Sequence, residues 1–377
     1  MSLKVLHIVE SLDKGAVENW LIRTQTYATK KNIHLNWTYF CIESFKGIRE
    51  KDVLDSNGRV IHSKYNWGRP VKLIFSLRQE LKSNNYDVLH CHHDFMSALY
   101  LISALGLRIK KIVHVHNMDE HIPSKSNFKK KLFRIIFRFV CHYFSDQIIG
   151  VSKHTLKKFT QNKVSLRKKS KILYYGIHGD KFLKAKSISN QLKEKFNLRA
   201  NSKLILFLGR LAPAKNPLFF LKLIRELQSI DGNIVGIIVG EGDLKPDLEN
   251  FIQRYECENY IKLLGWQENV AEIMKSSDLF VSPHVHYPLE GLGLVILESQ
   301  LSQTPMLISK GISKDPILKN TSYRRLSLNE PMINWIRAAQ YLINTKNNCN
   351  SEIDKIFYKS DFDMKNSLSN LITIHET

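Results

Sequence analysis

Two carboxylates, Glu290 and Glu298, stand with seven residues between them in YPLEGLGLVILESQLSQTPMLIS. The first lies in a Gly-rich loop after the apolar run DLFVSP and the second inside an amphipathic stretch, so a strand, a turn and a helix present both acids to one ligand site. Two cations have a similar setting. Arg210 and Lys215 of FLGRLAPAKNP lie five residues apart on a strand-to-helix loop, where they and the following helix N-terminus can converge on a diphosphate. Glu298 can then accept hydrogen bonds from ribose hydroxyls and Glu290 from a sugar, beside the amides of Gly291, Leu292, Gly293 and Leu294. Two loop cations alone are usually solvated; together with the two acids they describe a nucleotide-sugar.

The elements that must hold these groups follow one grammar. Short β-like runs alternate with amphipathic helical patterns: KVLHIV before GAVENWLIRTQTYAT, YDVLHC before SALYLISAL, KIVHVH before KKLFRIIFRFVCHYF, and DQIIGVS before KHTLKKFT and KILYYG. Such spacing gives right-handed crossovers and a mostly parallel sheet covered on both faces. After the polar stretch KAKSISNQLKEK the pattern restarts with KLILFLGRL and runs to PMLIS. We therefore expect an α/β chain with two doubly wound, Rossmann-like domains facing an interdomain cleft: residues 1–185, residues 186–345, and a helical tail over 346–377 packing back toward the first domain, with a linker near 177–200. Ligands in open α/β sheets collect beyond the carboxyl ends of strands, and Gly15, His92, His116, Asn117, Arg210, Glu241 and Glu290 all follow predicted strands. A lone histidine at a strand end is more often a satisfied polar residue than a catalyst, and for His92 and His93 the two readings are equally open. Trp266 and Gln267, after YIKLLG, could sit beside a nucleobase, or Trp266 in the core.

Composition excludes several classes. The chain has 377 residues, 43% hydrophobic and 24% charged, which is globular rather than disordered. Five scattered cysteines without a CxxC pair argue against a disulfide framework and a zinc site. The N-terminus lacks a secretory pattern and no segment approaches the roughly 18 apolar residues of a membrane span, so a cytoplasmic protein is expected. The net charge of +21 predicts attraction to polyanions. Residues 108–171 hold seventeen Lys and Arg against Asp119, Glu120 and Asp146, and FKKKLFRIIFRFVCHYF interleaves basic and apolar residues as a helix at an anionic membrane surface would. An ordinary surface helix with solvated lysines has the same pattern.

The second half resembles the family 4 glycosyltransferases, retaining enzymes of the GT-B fold. LFLGRLAPAKNP is similar to the family's VGRL…KN segment, GEGD to its next loop, LLGWQENVAEIMKSSDLFVSP to its base-binding turn, helix and strand, and EGLGLVILES to its E-x7-E motif. GAVENWLIR, YDVLHCH, HVHN and SDQIIGVS extend the resemblance through the first half, and CHHDF, HVHN and RRLSLNEPMINW look most like the branch that builds bacterial exopolysaccharides and other surface glycans. The resemblance implies that Gly209, Arg210 and Lys215 hold the diphosphate, Glu298 the ribose, and Glu290 with Gly291–Leu294 the donor sugar. It further implies that Gly15 closes over the phosphates, that His116 reaches the donor sugar, and that Trp266 and Gln267 flank the base. His92 and Asn117 fall on its acceptor side. Three departures stand out: HVHYPL before Glu290 is longer than the usual P-S-x-x-E spacing, Ala16 replaces a glycine, and Tyr175 and His178 replace the Asn and Asp of an N-G-I-D turn.

The expectation is a metal-independent, cofactor-free, retaining glycosyltransferase, peripheral on the cytoplasmic membrane. It moves a sugar from a nucleotide donor to a glycan hydroxyl on a polyprenyl-diphosphate-linked acceptor. Catalysis would rest on His116, Glu290, Arg210 and Lys215. The rivals are a nucleotide-sugar epimerase, transfer to a soluble acceptor, a basic nucleic-acid-binding protein without a recognisable module, and a catalytically retired partner subunit.

Overall fold

The computed structural model describes residues 3–13, 15–116, 128–287, 289–345 and 352–377. They form two compact units, Met1–Ile177 with Met364–Thr377, and His178–Asp363. The division falls at Ile177, ahead of the boundary expected at residue 185. The expected linker is structured instead: helices Asp180–Leu183 and Ser189–Lys195 occupy it, and Leu192 is buried in the core of the second unit. The expected tail also divides. Helix Ile353–Tyr358 belongs to the second unit, where Phe357 fills the space beside Gly179, while helix Met364–Glu376 belongs to the first.

The first unit has seven strands: β1 (Lys4–Val9), β2 (Asn36–Cys41), β3 (Arg59–His62), β4 (Val88–Cys91), β5 (Lys110–Val115), β6 (Gln147–Gly150) and β7 (Ser170–Ile172). They are arranged in the order β3-β2-β1-β4-β5-β6-β7. The second unit has β8 (Lys203–Leu208), β9 (Ile234–Val239), β10 (Ile261–Gly265), β11 (Leu279–Ser282), β12 (Met306–Ser309) and β13 (Tyr323–Leu326), in the order β10-β9-β8-β11-β12-β13. The pairings are parallel in both sheets. This is the doubly wound topology, whose strand order reverses between β1 and β4 and again between β8 and β11.

Period-two alternation sends successive side chains to opposite faces of a strand, and the second unit shows it on its central strand. Ile205 and Phe207 enter one core with Phe220, Ile224 and Trp335. Leu204 and Leu206 enter the other with Phe280, Ile296 and Met306. The first unit departs from this pattern. Leu6, Ile8, Leu89 and Cys91 pack an apolar core on one face. The opposite faces of β1, β4 and β5 carry His7, His90 and His114, with His92 just beyond β4 and His116 just beyond β5, and all five are buried. Helix Ala16–Lys30 covers this face with Trp20, and helix Met364–Glu376 adds His375.

The candidate donor site and the buried histidine face

The reversal point of the second sheet brings two loops together. One follows β8 and carries Gly209, Arg210 and Lys215; the other follows β11 and carries His284 and Glu290. Close packing of the strand ends fixes the first loop: Gly240, just past β9, has φ +138, and a Cβ there would be driven into the carbonyl oxygen of Gly209. Only glycine fits, because L side chains rarely adopt that backbone and the carbonyl blocks the space. Asn216 then turns the chain in the left-handed conformation and Pro217 begins helix Pro217–Ile230, a start that suits a residue without an N–H. The second loop is stitched to the first through the Val285 N–H, which donates to Ala214 O at 2.9 Å. Glu290 N–H donates to Gly311 O at 3.0 Å. Gly293, at φ +74, then leads into helix Leu294–Leu301.

Between these loops the Lys215 ammonium pairs with Oε2 of Glu290. The same oxygen lies 3.1 Å from Nε2 of His284. Burial pushes the Glu290 carboxyl up, but the charge of Lys215 and the hydrogen bond and charge of His284 outweigh it and hold the group well below the usual carboxylate range. Glu290 is therefore a fixed negative acceptor within a cationic surround. Arg210 is exposed at the head of the loop, and among the described residues no side chain pairs with it. Glu298 is half-buried within helix Leu294–Leu301. Leu292 is buried, while Gly291 and Leu294 are half-buried. Trp266 follows β10 with 65% of its surface exposed, which removes it from the core. Gln267 beside it donates to Leu264 O at 2.8 Å.

The remaining expected residues lie in the first unit. Gly15 is exposed immediately before helix Ala16–Lys30. His116 is buried with both ring nitrogens engaged: Nε2 lies 3.0 Å from His92 Nδ1, and Nδ1 takes the Tyr175 hydroxyl. Its backbone N–H donates to Asp94 Oδ1 at 2.8 Å. His92 is enclosed between His116 and His7, whose Nδ1 lies 3.0 Å from His92 Nε2. His92 thus stands behind His116 in the core instead of lining a surface. Asn117 lies outside the described residues.

A second run links His375 Nε2 to His90 Nδ1 at 3.0 Å and His90 Nε2 to His114 Nδ1 at 3.3 Å. Burial first, then the neighbouring rings, hold His7, His90, His92 and His114 well below the ordinary histidine value, and burial takes His116 and His375 to about 3. Neutral imidazoles each have one N–H and one lone pair, so each run must align its tautomers head to tail. Two triplets, His7–His90–His375 and His90–His92–His114, bring ring nitrogens within 4.8 Å of one another. Neither contains a carboxylate, and a buried dication without counter-charge is costly, so hydrogen bonding between neutral rings accounts for the geometry.

Sequence reasoning missed His284, Tyr175 and most of this histidine face. The signal was present: LHCH and VHVH alternate with period two, which puts both histidines of each strand on one face.

Residues 189–344 match the family described as "Glycosyl transferases group 1" and residues 38–180 the one described as "Glycosyltransferase Family 4". The chain is 25% identical to the capsular polysaccharide biosynthesis glycosyltransferase CapH of Staphylococcus aureus, over 94% of this chain and 95% of that one. It is 28% identical to an Escherichia coli UDP-Gal:alpha-D-GlcNAc-diphosphoundecaprenol alpha-1,3-galactosyltransferase, over 67% of this chain and 65% of that one. HepE of Anabaena, solved in complex with UDP, superposes with a TM-score of 0.75 at 17% identity, over 98% of this chain and 99% of HepE. The chain belongs to the family 4 glycosyltransferases, and its two units have the GT-B fold. It is a glycosyltransferase similar to an enzyme of bacterial capsular polysaccharide biosynthesis.

Proposed function

We propose that this chain transfers a sugar from a uridine diphosphate donor, with retention and without a metal, to a hydroxyl of a polyprenyl-diphosphate-linked glycan. The observation that carries the reading is the Lys215–Glu290 ion pair on two loops at the reversal point of the second sheet, with Arg210 exposed on the same loop as Lys215. The donor diphosphate takes the two cations and the start of helix Pro217–Ile230, Glu290 accepts from the sugar, and Glu298 accepts from the ribose. In the transfer the bond between the sugar's anomeric carbon and the diphosphate oxygen breaks, and the acceptor oxygen bonds to that carbon on the same face. The acceptor's proton passes to the departing diphosphate. Charge grows on that leaving group, and preorganised cations and amides lower the barrier by meeting it there.

UDP as the base is supported by the Escherichia coli relative's donor and by the UDP complex of HepE, and the lipid-linked acceptor by the former. Among the described residues no helix is long and apolar enough to cross a membrane. Contact with a lipid surface is supported instead by helix Phe128–Phe144. Its inner side chains Phe137, Val140, Cys141 and Phe144 pack on the fold, while Leu132, Ile135, Ile136, Phe139 and Tyr143 are exposed along its outer side. Such an apolar stripe within a basic segment suits peripheral binding on the cytoplasmic leaflet.

The test is a transfer assay with a panel of UDP-sugars and an undecaprenyl-diphosphate-linked sugar, in the presence of a chelator. Product with an unchanged anomeric configuration is expected. Donor isomerisation without acceptor would point to an epimerase, and an inverted product or loss of turnover with the chelator would overturn the mechanism.

A further inference from the structure

In the structure the Lys215 ammonium is committed to Glu290, yet a bound diphosphate would require it. A diphosphate attracts a cation more strongly than one carboxylate does, and a lysine head on its four-carbon stem can turn to follow. If Lys215 were the carboxylate's only partner, donor binding would strand Glu290 in a half-buried site, where an uncompensated charge is costly.

His284 removes that conflict. Its ring is 4% exposed, and Nδ1 lies 2.8 Å from Val285 O. A carbonyl only accepts, so Nδ1 carries a hydrogen in either charge state. The contact between Nε2 and Glu290 Oε2 at 3.1 Å is then a hydrogen bond only when that pair holds one further proton. The backbone around the ring is equally fixed. Ser309 Oγ–H donates to His284 O at 2.5 Å, Val285 N–H donates to Ala214 O, and a Cβ on Gly311 would strike the carbonyls of His284 and Val285. The imidazole cannot follow a phosphate out of this seat. One cation of the site is therefore mobile and the other anchored.

Resting on the donor reading above, we propose that His284 is a positioning residue for the donor sugar: it keeps Glu290 aimed and charge-compensated when Lys215 moves to the diphosphate. The residue lies in HVHYPL, the segment longer than the family spacing, so this chain supplies its own support for the sugar-binding acid.

The consequence is a division of affinity. UDP alone engages Lys215 and Arg210, whereas a UDP-sugar also engages Glu290. Calorimetric binding of UDP and of a panel comprising UDP-glucose, UDP-galactose and their 2-acetamido counterparts would be compared for the full-length wild type, His284→Ala, His284→Gln and Glu290→Gln. Wild type is expected to bind one UDP-sugar more tightly than UDP. His284→Ala and Glu290→Gln should lose about tenfold of that UDP-sugar affinity, the scale of a hydrogen bond to a charged group, while keeping UDP affinity within about twofold. His284→Gln, whose amide can reach the same oxygen, should recover part of the loss and also serves if the alanine variant fails to fold. An equal loss for UDP and UDP-sugar would mark His284 as merely structural and overturn the proposal. So would an unchanged sugar increment, or a wild type that binds UDP but gains nothing from any sugar. If wild type binds neither UDP nor any UDP-sugar, the donor reading itself falls, and this inference with it.

Discussion

His116 Nε2 lies 3.0 Å from His92 Nδ1, so the histidine expected near the donor sugar is the outer member of a buried run that continues to His7. To touch a ligand it must release His92 or Tyr175. The same burial makes the first unit sensitive to acid. His7, His90, His92, His114, His116 and His375 are all held below the ordinary value of 6.5, so below that pH the unfolded chain binds more protons than the folded one. The stabilisation is fully present above about pH 6.5 and is lost as pH falls toward about 3, the value reached by His116 and His375. Each such ring contributes a slope of up to about 1.4 kcal/mol per pH unit. The urea midpoint should therefore drop steeply between pH 7.5 and 5.5, and equal midpoints would contradict neutral buried rings.

Gly240→Ala should damage the donor site from outside it. The substitution needs φ +138 and places a methyl on the Gly209 carbonyl, which costs about 1–3 kcal/mol in backbone strain alone and shifts the residue that precedes Arg210. Lower stability with weakened UDP binding is expected. Gly232, where an added Cβ meets nothing within 4 Å, is the control, with Gly232→Ala within about 0.5 kcal/mol of wild type. Identical melting of both variants would show that the strand ends are looser than described.

Lys215→Ala and Arg210→Ala should each weaken UDP by about 10–100-fold, the range for a lost charge-assisted contact. Lys215→Ala also removes the ammonium charge that holds the Glu290 carboxyl down, so the carboxyl's pKa should rise in that variant alone. Titration calorimetry at two pH values separates them: Lys215→Ala should show altered proton uptake and Arg210→Ala should not.

Phe139→Asp combined with Tyr143→Asp should abolish co-sedimentation with vesicles of anionic phospholipid while leaving the melting temperature almost unchanged. Both side chains are mostly exposed, at 62% and 71%, so the fold loses little. Binding of wild type should also weaken as salt rises. Sedimentation that survives the double substitution would remove this helix from the lipid-facing surface.

The strands and helices that carry the donor residues were legible because each reads as an apolar run or a helical repeat bounded by turn residues, as in LILFLG and PLFFLKLIREL. Three other strands were not. NWTYFC (β2), inside the sheet, carries aromatic residues without strict alternation, while the edge strands RVIH (β3) and YRRL (β13) are four residues long, and YRRL is charged, as edge strands commonly are. Arg210, Lys215 and Glu290 could be placed on loops after strands because that position follows from topology. His284 could not, since its role depends on which carbonyl its Nδ1 meets, and that is set by the path of the loop. KAKSISNQLKEK reads as a linker because it is polar by composition, yet Leu192, with Ile188 and Phe196 flanking its helix, anchors that helix to the core.

The first unit closes with residues far along the chain from the rest of it. His375 reaches His90, and the Lys110 ammonium meets the carbonyls of Ile374 and His375, yet His178–Asp363 lies between those partners in the chain. At about 5–20 residues per second of synthesis, that stretch occupies the ribosome for roughly ten to forty seconds. Throughout that interval the nascent first sheet stands without the helix that covers part of its imidazoles, in water where they can take up protons. A chain released before residue 375 would carry a histidine face roofed by helix Ala16–Lys30 but without the imidazole and helix that complete the cover.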